Sequence, residues 1–473
     1  MAKILRFFKE NFFVSTALLY IMSSFIIKGI SFFTTPVFTR LMSTADFGIV
    51  SNFHTWEQVF ASFICLQASS SLLAAKTNYA HARFHSFLKS IILFSLGTAT
   101  ILSLLVCFLS YPISSFTKLS ISLIPLVCIS ALGLSMINLC SNYYIAINNP
   151  KNKVIFSLTT CLITVVSSLC FVFFMSDKSF GRILGFVVSY ICIIIFAVIF
   201  FTQEKTPSKN FFLTDIKYAL SFGVPLIPHL LANLVTGSSD KIFIIRLCGE
   251  SANGIYSLAY NIGQLALVFA SACADAWNPW YYNETKNKGS KKRIADYFYL
   301  YTITIGMCFV GVMLLAPEIM KIMAPKEYWS GTRCILFVAV GIFLLFMYRF
   351  PLAYEQYNSK TIFVAPATIM SAIINVFFNS VLIPKYGIEG AAIATSISYA
   401  CILVFHEFVA RVIIKGYNIS LYNYIIPLTL VILAFILSNV MIHSGFASRF
   451  LLLVVICGCY MAYILFFFKF KQK

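Results

Sequence analysis

The chain has 473 residues, 60% of them hydrophobic and only 11% charged, with a mean hydropathy of +0.88. A water-soluble protein has too little interior to hide that much apolar surface, so a string of soluble domains is excluded. The 35 Lys and Arg residues outnumber 16 Asp and Glu, a formal net charge of +19. That excess fits nucleic acid, anionic lipid or an anionic substrate equally well until the charges are placed along the chain.

In chain order, Lys3, Arg6 and Lys9 precede an apolar stretch that begins at Phe12 and runs to about Phe38. It is too long for the apolar region of a signal peptide and has no small-residue cleavage pattern, so a retained first membrane helix is expected. Apolar runs long enough to cross a hydrocarbon core then recur to the end of the sequence. The expected spans number about fourteen: 12–39, 47–73, 87–111, 119–146, 154–175, 181–202, 217–245, 253–277, 296–317, 332–357, 361–383, 389–414, 422–443 and 449–468. The pairs within 154–202 and 361–414 are the least cleanly separated. The fold class is therefore an all-α polytopic membrane protein. The 14 cysteines are scattered through apolar runs and read as small buried hydrophobes. No metal site is expected, because neither Cys457-Gly-Cys459 nor His81 with His85 has further ligands at suitable spacing.

Taking connections alternately from the N-terminus, one side holds 22 basic residues and the other 11, with Lys28 and Arg349 left inside spans. Basic residues favour the cytoplasmic side, so both termini are expected there and nucleic acid is not needed to explain the charge. The sequence also resembles itself. Arg40-Leu41, Gly48-Ile49, Ser51, Gln58, Phe63 and Ala68 recur 206 residues later as Arg246-Leu247, Gly254-Ile255, Ser257, Gln264, Phe269 and Ala274. A second set at offset 209 pairs Asn149, Lys151, Gly181 and Ser189-Tyr190 with Asn358, Lys360, Gly390 and Ser398-Tyr399. Two six-helix copies follow, 1–210 and 211–415, with two further helices in 416–473. Six is even, so the copies enter the membrane from the same side, as two parallel lobes facing a central cavity.

Charges inside spans are costly and point to function or to internal pairing. Lys28 lies near the middle of the first span, a candidate contact for an anionic substrate group; the alternative is a pair with Glu57. Arg349 presents a planar fork suited to phosphate oxygens; the alternative is a pair with Glu355. His229 follows Gly223, Pro225 and Pro228 in the seventh span and is a third candidate for the cavity. Glu57, Asp275, Glu355 and Glu407 are candidates for ion coupling by H⁺ or Na⁺, each with the alternative of a local Lys or Arg partner. Asp240 and Lys241, with Arg40 and Arg246, are expected at the cavity entrance; a local Asp240–Lys241 ion pair is the other reading. No GxxxxGK[ST] pattern is present and no connection is long enough for a catalytic domain, so a transporter without bound cofactor is favoured over an enzyme.

Lys28-Gly29 through Pro36, Thr39-Arg40-Leu41, Asp46-Phe47-Gly48, Ser221-Phe222-Gly223 with Pro225 and Pro228, Asp240-Lys241, Gly254-Ile255-Tyr256-Ser257, and Ile383 to Thr395 together resemble the Wzx-type polysaccharide flippases. That family belongs to the multidrug/oligosaccharidyl-lipid/polysaccharide (MOP) exporter superfamily. The resemblance implies two six-helix lobes, a cationic cavity and alternating access. It implies an undecaprenyl-diphosphate-linked oligosaccharide moved from the cytoplasmic to the periplasmic leaflet of a bacterial inner membrane, for O-antigen or capsule. A polysaccharide polymerase and other glycan-assembly proteins are the implied partners, beside membrane lipids. A lipid II flippase and a drug/cation antiporter of the same superfamily remain alternatives, as does a non-transporting membrane scaffold. Mid-span cations argue against the antiporter, which would prefer an acidic cavity.

Overall fold

The computed structural model describes residues 12–203, 211–287 and 290–471; the side chains of 12–25, 272–276 and 464–471, and so that of Asp275, lie outside the described part. Among the described residues every regular element is a helix. Contacts divide the chain into two compact units, Met1–Leu234 and Val235–Lys473.

The first unit opens with α1 (Phe12–Leu41) and α2 (Thr44–Ile64). Ser43 caps α2: its Oγ accepts from the Asp46 N–H at 3.1 Å, and Asp46 Oδ2 accepts from the Ser43 N–H at 3.0 Å. This reciprocal arrangement satisfies donors that the helix start would leave unpaired. After Ile64 the chain bends by 58°. Leu66 and Gln67 turn through left-handed backbone (φ 43° and 57°), and a short 3-10 turn leads into α3 (Leu72–Asn78). There follow α4 (His81–Phe108), α5 (Ser110–Thr117), α6 (Ile124–Ala146), α7 (Pro150–Phe174), α8 (Lys178–Thr202) and α9 (Phe212–Gly223). The expected pair within 154–202 separates cleanly, because Asp177 caps α8 by accepting from the Phe180 N–H at 2.9 Å.

Helices in lipid gain little from hydrophobic transfer between themselves, so close packing of small residues and buried polar contacts holds them together. The α7–α8 pair shows both. Gly185 lies against the Ser168 backbone with no room for a Cβ. Ser167 Oγ donates to the Gly185 carbonyl at 2.8 Å, and the Thr164 and Ser189 hydroxyls meet at 3.0 Å. A core of Phe84, Phe87, Ile91, Met136, Leu139, Phe201 and Ala219 joins α4, α6, α8 and α9. One face of α7 stays apolar and exposed, at Ile155, Leu162, Val166 and Phe173, as a lipid-facing helix requires.

α9 is fixed to this unit by charge. Asp215 is fully buried and accepts from the Arg83 guanidinium and from Ser90 Oγ at 2.6 Å. Arg83 also lies over the rings of Tyr79 and Phe211, at 4.6 and 4.3 Å from their centroids. Gly223, at the end of α9, meets the Leu66 and Gln67 backbone at the bend, where a side chain would clash. These contacts place α9 in the first unit.

α10 (Ile227–Leu247) carries the boundary. The second unit continues with α11 (Glu250–Gly263), α12 (Leu265–Lys286), α13 (Lys291–Leu314), α14 (Ala316–Met323), α15 (Thr332–Met347), α16 (Arg349–Tyr357), α17 (Val364–Phe408), α18 (Tyr422–Val440) and α19 (Phe446–Lys471). The spans expected at 361–383 and 389–414 run on as α17 and the π-helical turn Val409–Ile414, with the direction broken at Gly387 (φ 55°, ψ −133°). Only glycine takes that conformation without strain. α18 packs along α13 and α15, so the residues after 415 are an integral part of the second unit.

Ten helices among the described residues are long and apolar enough to cross a membrane, or eleven counting the bent Thr44–Asn78 pair as one. The expected count of about fourteen also includes 12–39 and 253–277, which lie partly outside the described side chains, and counts separately the two helices that Gly387 divides within Thr361–Ile414. Breaking a buried ion pair by removing one partner strands the other charge, at a cost of about 3–5 kcal/mol. Asp215→Ala is accordingly expected to lower the thermal unfolding midpoint of the purified protein by several degrees, whereas Lys217→Ala on the exposed face of α9 leaves it unchanged. Equal midpoints for both variants would remove the Arg83–Asp215 contact from the account of how α9 is held.

Candidate functional site: a substrate and ion pathway

Polar groups within a span must find partners inside the protein or face a wet cavity. The first unit has such a cavity beside the bend after α2, with a volume of about 150 Å³. Gln58, Ser62, Gln67, Ser69, Ser135 and Asn138 give it amide and hydroxyl groups, while Leu134, Leu230 and Leu234 give it apolar wall. Gln58, Ser62 and Cys65 fall on one face of α2 by helical spacing, and the left-handed turn at Gln67 brings a second amide to the same space. No charged residue lines it among those described, so it suits hydrogen bonding to neutral hydroxyls.

On another face of α2, Glu57 is buried with His54, whose Nδ1 lies 2.6 Å from Glu57 Oε2. The His54 ring in turn rests 4.5 Å from the Phe186 ring. Glu57 Oε1 has no hydrogen-bond partner among the described residues. Histidine, not Lys28, is therefore the close partner of Glu57; Lys28 is exposed on α1.

A second carboxylate–imidazole pair lies in the second unit. Glu355 on α16 and His406 on α17 are both fully buried, with Oε1 and Nδ1 2.8 Å apart. Tyr348 stacks on the His406 ring at 5.4 Å. Glu355 Oε2 and His406 Nε2 have no further partner among the described residues. Arg349 is half-buried at the start of α16, and the carboxylate expected as its local partner is taken by His406. Glu407 follows the local alternative: its Oε2 accepts from Arg411 Nε at 2.6 Å across one turn. Beside it Tyr417, outside the spans, meets Tyr424 at 3.0 Å; burial raises its hydroxyl pKa well above the ordinary tyrosine value, and the Glu407 and Tyr281 charges add to the rise.

Asp240 is fully buried, where it accepts from the Tyr256 hydroxyl and from the Lys241 N–H at 2.8 Å. Next to it Ser239 Oγ donates to Asn375 Oδ1 at 2.5 Å, and Asn379 Nδ2 donates to Ser239 Oγ at 3.1 Å. Asn375 Nδ2 also donates to Thr395 Oγ1 at 3.5 Å, so this network ties α10 and α11 to both halves of α17 across the Gly387 break. The Lys241 ammonium lies 5.9 Å from the Tyr260 ring. Arg40 and Arg246 are exposed at helix ends, Arg40 Nη1 donating to the Pro36 carbonyl at 2.9 Å. His229 is half-buried, one turn from Asn233, with its Nε2 3.0 Å from Asn233 Nδ2.

The sequence reading omitted His54, His406, Gln67 and Asn138. His54 had a signal, since it stands three residues before Glu57 and shares its helix face. His406 had none, because its partner is 51 residues away.

Spans, buried polar pairs and hydroxyl-lined space define a membrane transporter fold, and comparison supplies the family. The polysaccharide biosynthesis protein family matches residues 13–283, and the chain belongs to it. An uncharacterized membrane protein of Haemophilus influenzae is 24% identical over 384 residues, covering 79% of this chain and 93% of that protein. A probable low-salt glycan biosynthesis flippase of Haloferax volcanii is 26% identical over 162 residues, 33% of this chain and 34% of the relative. Among solved structures, an inward-facing multidrug resistance MATE family transporter of the MOP superfamily superposes with a TM-score of 0.65 at 15% identity, covering 84% of this chain and 98% of that one. The lipid II flippase MurJ in an inward closed conformation gives 0.64 at 16% identity, covering 96% and 100%. The fold is that of the MOP-superfamily transporters.

The two nitrogen–oxygen pairs are open to direct measurement. Residues in contact inside a low-dielectric interior couple by about 0.5–3 kcal/mol. A double-mutant cycle of Glu355→Gln and His406→Phe, read by unfolding of the purified protein, is expected to give at least 1 kcal/mol of coupling on that scale. Additive effects would mean that the two side chains act independently.

Proposed function

We propose that this protein flips an undecaprenyl-diphosphate-linked oligosaccharide from the cytoplasmic to the outer leaflet of a bacterial inner membrane, with both termini cytoplasmic, for O-antigen or capsule synthesis. The observation that carries this reading is the uncharged amide and hydroxyl lining of the first unit's cavity, in a chain of the polysaccharide biosynthesis family. Sugar hydroxyls both donate and accept hydrogen bonds, and Gln58, Gln67 and Asn138 do the same. The diphosphate needs cations, and Lys28 and Arg349 are the basic residues that topology leaves over. Alternation between two states that expose the cargo site to opposite sides moves the glycan while the lipid tail stays in the bilayer. His229 is a further contact in that pathway.

Ion coupling belongs to the same reading. Glu57 with His54 and Glu355 with His406 each set a buried carboxylate against an imidazole, and H⁺ or Na⁺ bound at either pair shifts the balance between states. Asp275 and Glu407 are the remaining candidates, Glu407 the weaker because Arg411 already neutralises it. Polymerase and glycan-assembly proteins are the partners this cargo calls for.

In cells relying on this chain for surface polysaccharide, Lys28→Ala is expected to reduce surface glycan at least tenfold at unchanged membrane levels of the protein, a loss of about 1.4 kcal/mol or more. Asn138→Leu, which removes an amide from the cavity, is expected to act in the same direction. Normal surface glycan with both variants would remove the cavity and Lys28 from the pathway. Lowered drug resistance in their place would assign the chain to the antiporter branch.

A further inference from the structure

The second unit has another built cleft, at the end of α13 opposite its Lys291–Arg293 start. The connection from α14 through the 3-10 turn Lys326–Gly331 meets the turn between α18 and α19 there, around a space of about 640 Å³. Lys321, Trp329, Arg333, His443, Ser444 and Arg449 are among its lining residues, and none of the described lining residues is acidic.

Its floor is rigid for a stated reason. Arg449 is buried, and its Nη1 donates to the carbonyls of Met441, Ile442 and Ser444 at 2.9, 3.1 and 2.7 Å in the turn that follows α18. Its Nη2 donates to Glu318 on α14. Arg449 and Glu318 thus neutralise each other while pinning the α18–α19 turn to α14. The wall is rigid too: Trp329 Nε1 donates to the Ala324 carbonyl at 3.1 Å, which fixes the indole, and Lys321 Nζ lies 5.5 Å from that ring. Arg333 on α15 is held through one N–H, from Nε to Asn439 Oδ1 at 3.3 Å, and its other donors remain on the fork. Two exposed cations, Lys321 and Arg333, therefore flank a fixed aromatic face with Ser330 and Ser444 hydroxyls nearby.

A surface that only needed solubility would intersperse acidic side chains among these cations. We propose that this cleft binds a phosphate-bearing group whose oxyanion sits between Lys321 and Arg333 and whose carrier lies against Trp329. Arg333 offers the paired donors that phosphate oxygens accept, Lys321 adds a point charge, and the indole covers an apolar face of the carrier. The phosphate comes from an anionic lipid headgroup of the leaflet or from a soluble phosphorylated sugar. The proposal does not depend on the cargo reading.

The test uses the full chain purified in neutral detergent, as wild type and as Lys321→Ala with Arg333→Ala. Glucose 1-phosphate is titrated by calorimetry, and retention of phosphatidylglycerol is counted by native mass spectrometry against phosphatidylcholine. A soluble source predicts that the double variant weakens glucose 1-phosphate binding about tenfold, two charge-assisted contacts being lost. A lipid source predicts that the double variant retains one phosphatidylglycerol fewer, with phosphatidylcholine unaffected. In the soluble case Trp329→Leu weakens glucose 1-phosphate but leaves inorganic phosphate unchanged. Should the alanine variant unfold, Lys321→Gln with Arg333→Gln gives the same comparison. The proposal is overturned if neither probe binds the wild type, or if both bind the variant as they bind the wild type.

Discussion

The constraint on which the rest of the structure depends is the low-dielectric interior of a membrane protein, where an unpaired charge or polar group has no water to turn to. Each buried carboxylate described above has an answer to it within its own unit. Asp215 takes Arg83, Glu57 takes His54, Glu355 takes His406, Glu407 takes Arg411 and Asp240 takes Tyr256 with a backbone N–H. The partners differ in kind. Arg83 gives Asp215 a charged, fork-shaped partner from another helix and so holds α9 in place. Glu57 and Glu355 instead each meet an imidazole, at 2.6 and 2.8 Å.

The same constraint shapes the backbone. The 58° bend after α2 opens a cavity lined by amide and hydroxyl groups, and Gly223 allows α9 to come directly onto it. The break at Gly387 lets the two halves of α17 contribute Asn375, Asn379 and Thr395 to one network around Ser239 and Asp240. Irregular backbone is tolerated at membrane depth where it lines a cavity, and the bend after α2 meets that condition, whereas the chain around Gly387 is partly exposed.

Much of the architecture was legible because span length and hydropathy are set by the thickness of the bilayer, a constraint visible in any window of the sequence. The helices α4, α6, α7 and α8 fall close to the expected spans for that reason. The contact that holds α9 was hidden, since Arg83 reaches Asp215 across 132 residues of sequence. The charged candidates were legible as anomalies, yet their partners were not. Lys28 with Glu57 and Arg349 with Glu355 were pairings drawn from charge alone, while the fold gives both carboxylates to histidine. Asp240 stands near a helix end, and only the packing of Tyr256 against it shows it to be buried.

The account stands on one claim, that this chain by itself carries a lipid-linked glycan across a bilayer. The most direct measurement reconstitutes the purified chain into liposomes with undecaprenyl-diphosphate-linked oligosaccharide in the inner leaflet. The oligosaccharide that becomes accessible to an external glycosidase is then followed with time. The account predicts that accessibility rises beyond the outer-leaflet fraction with wild-type protein and stays at the protein-free level with Lys28→Ala. Identical time courses for wild-type and protein-free liposomes, with the protein folded and inserted, would contradict it.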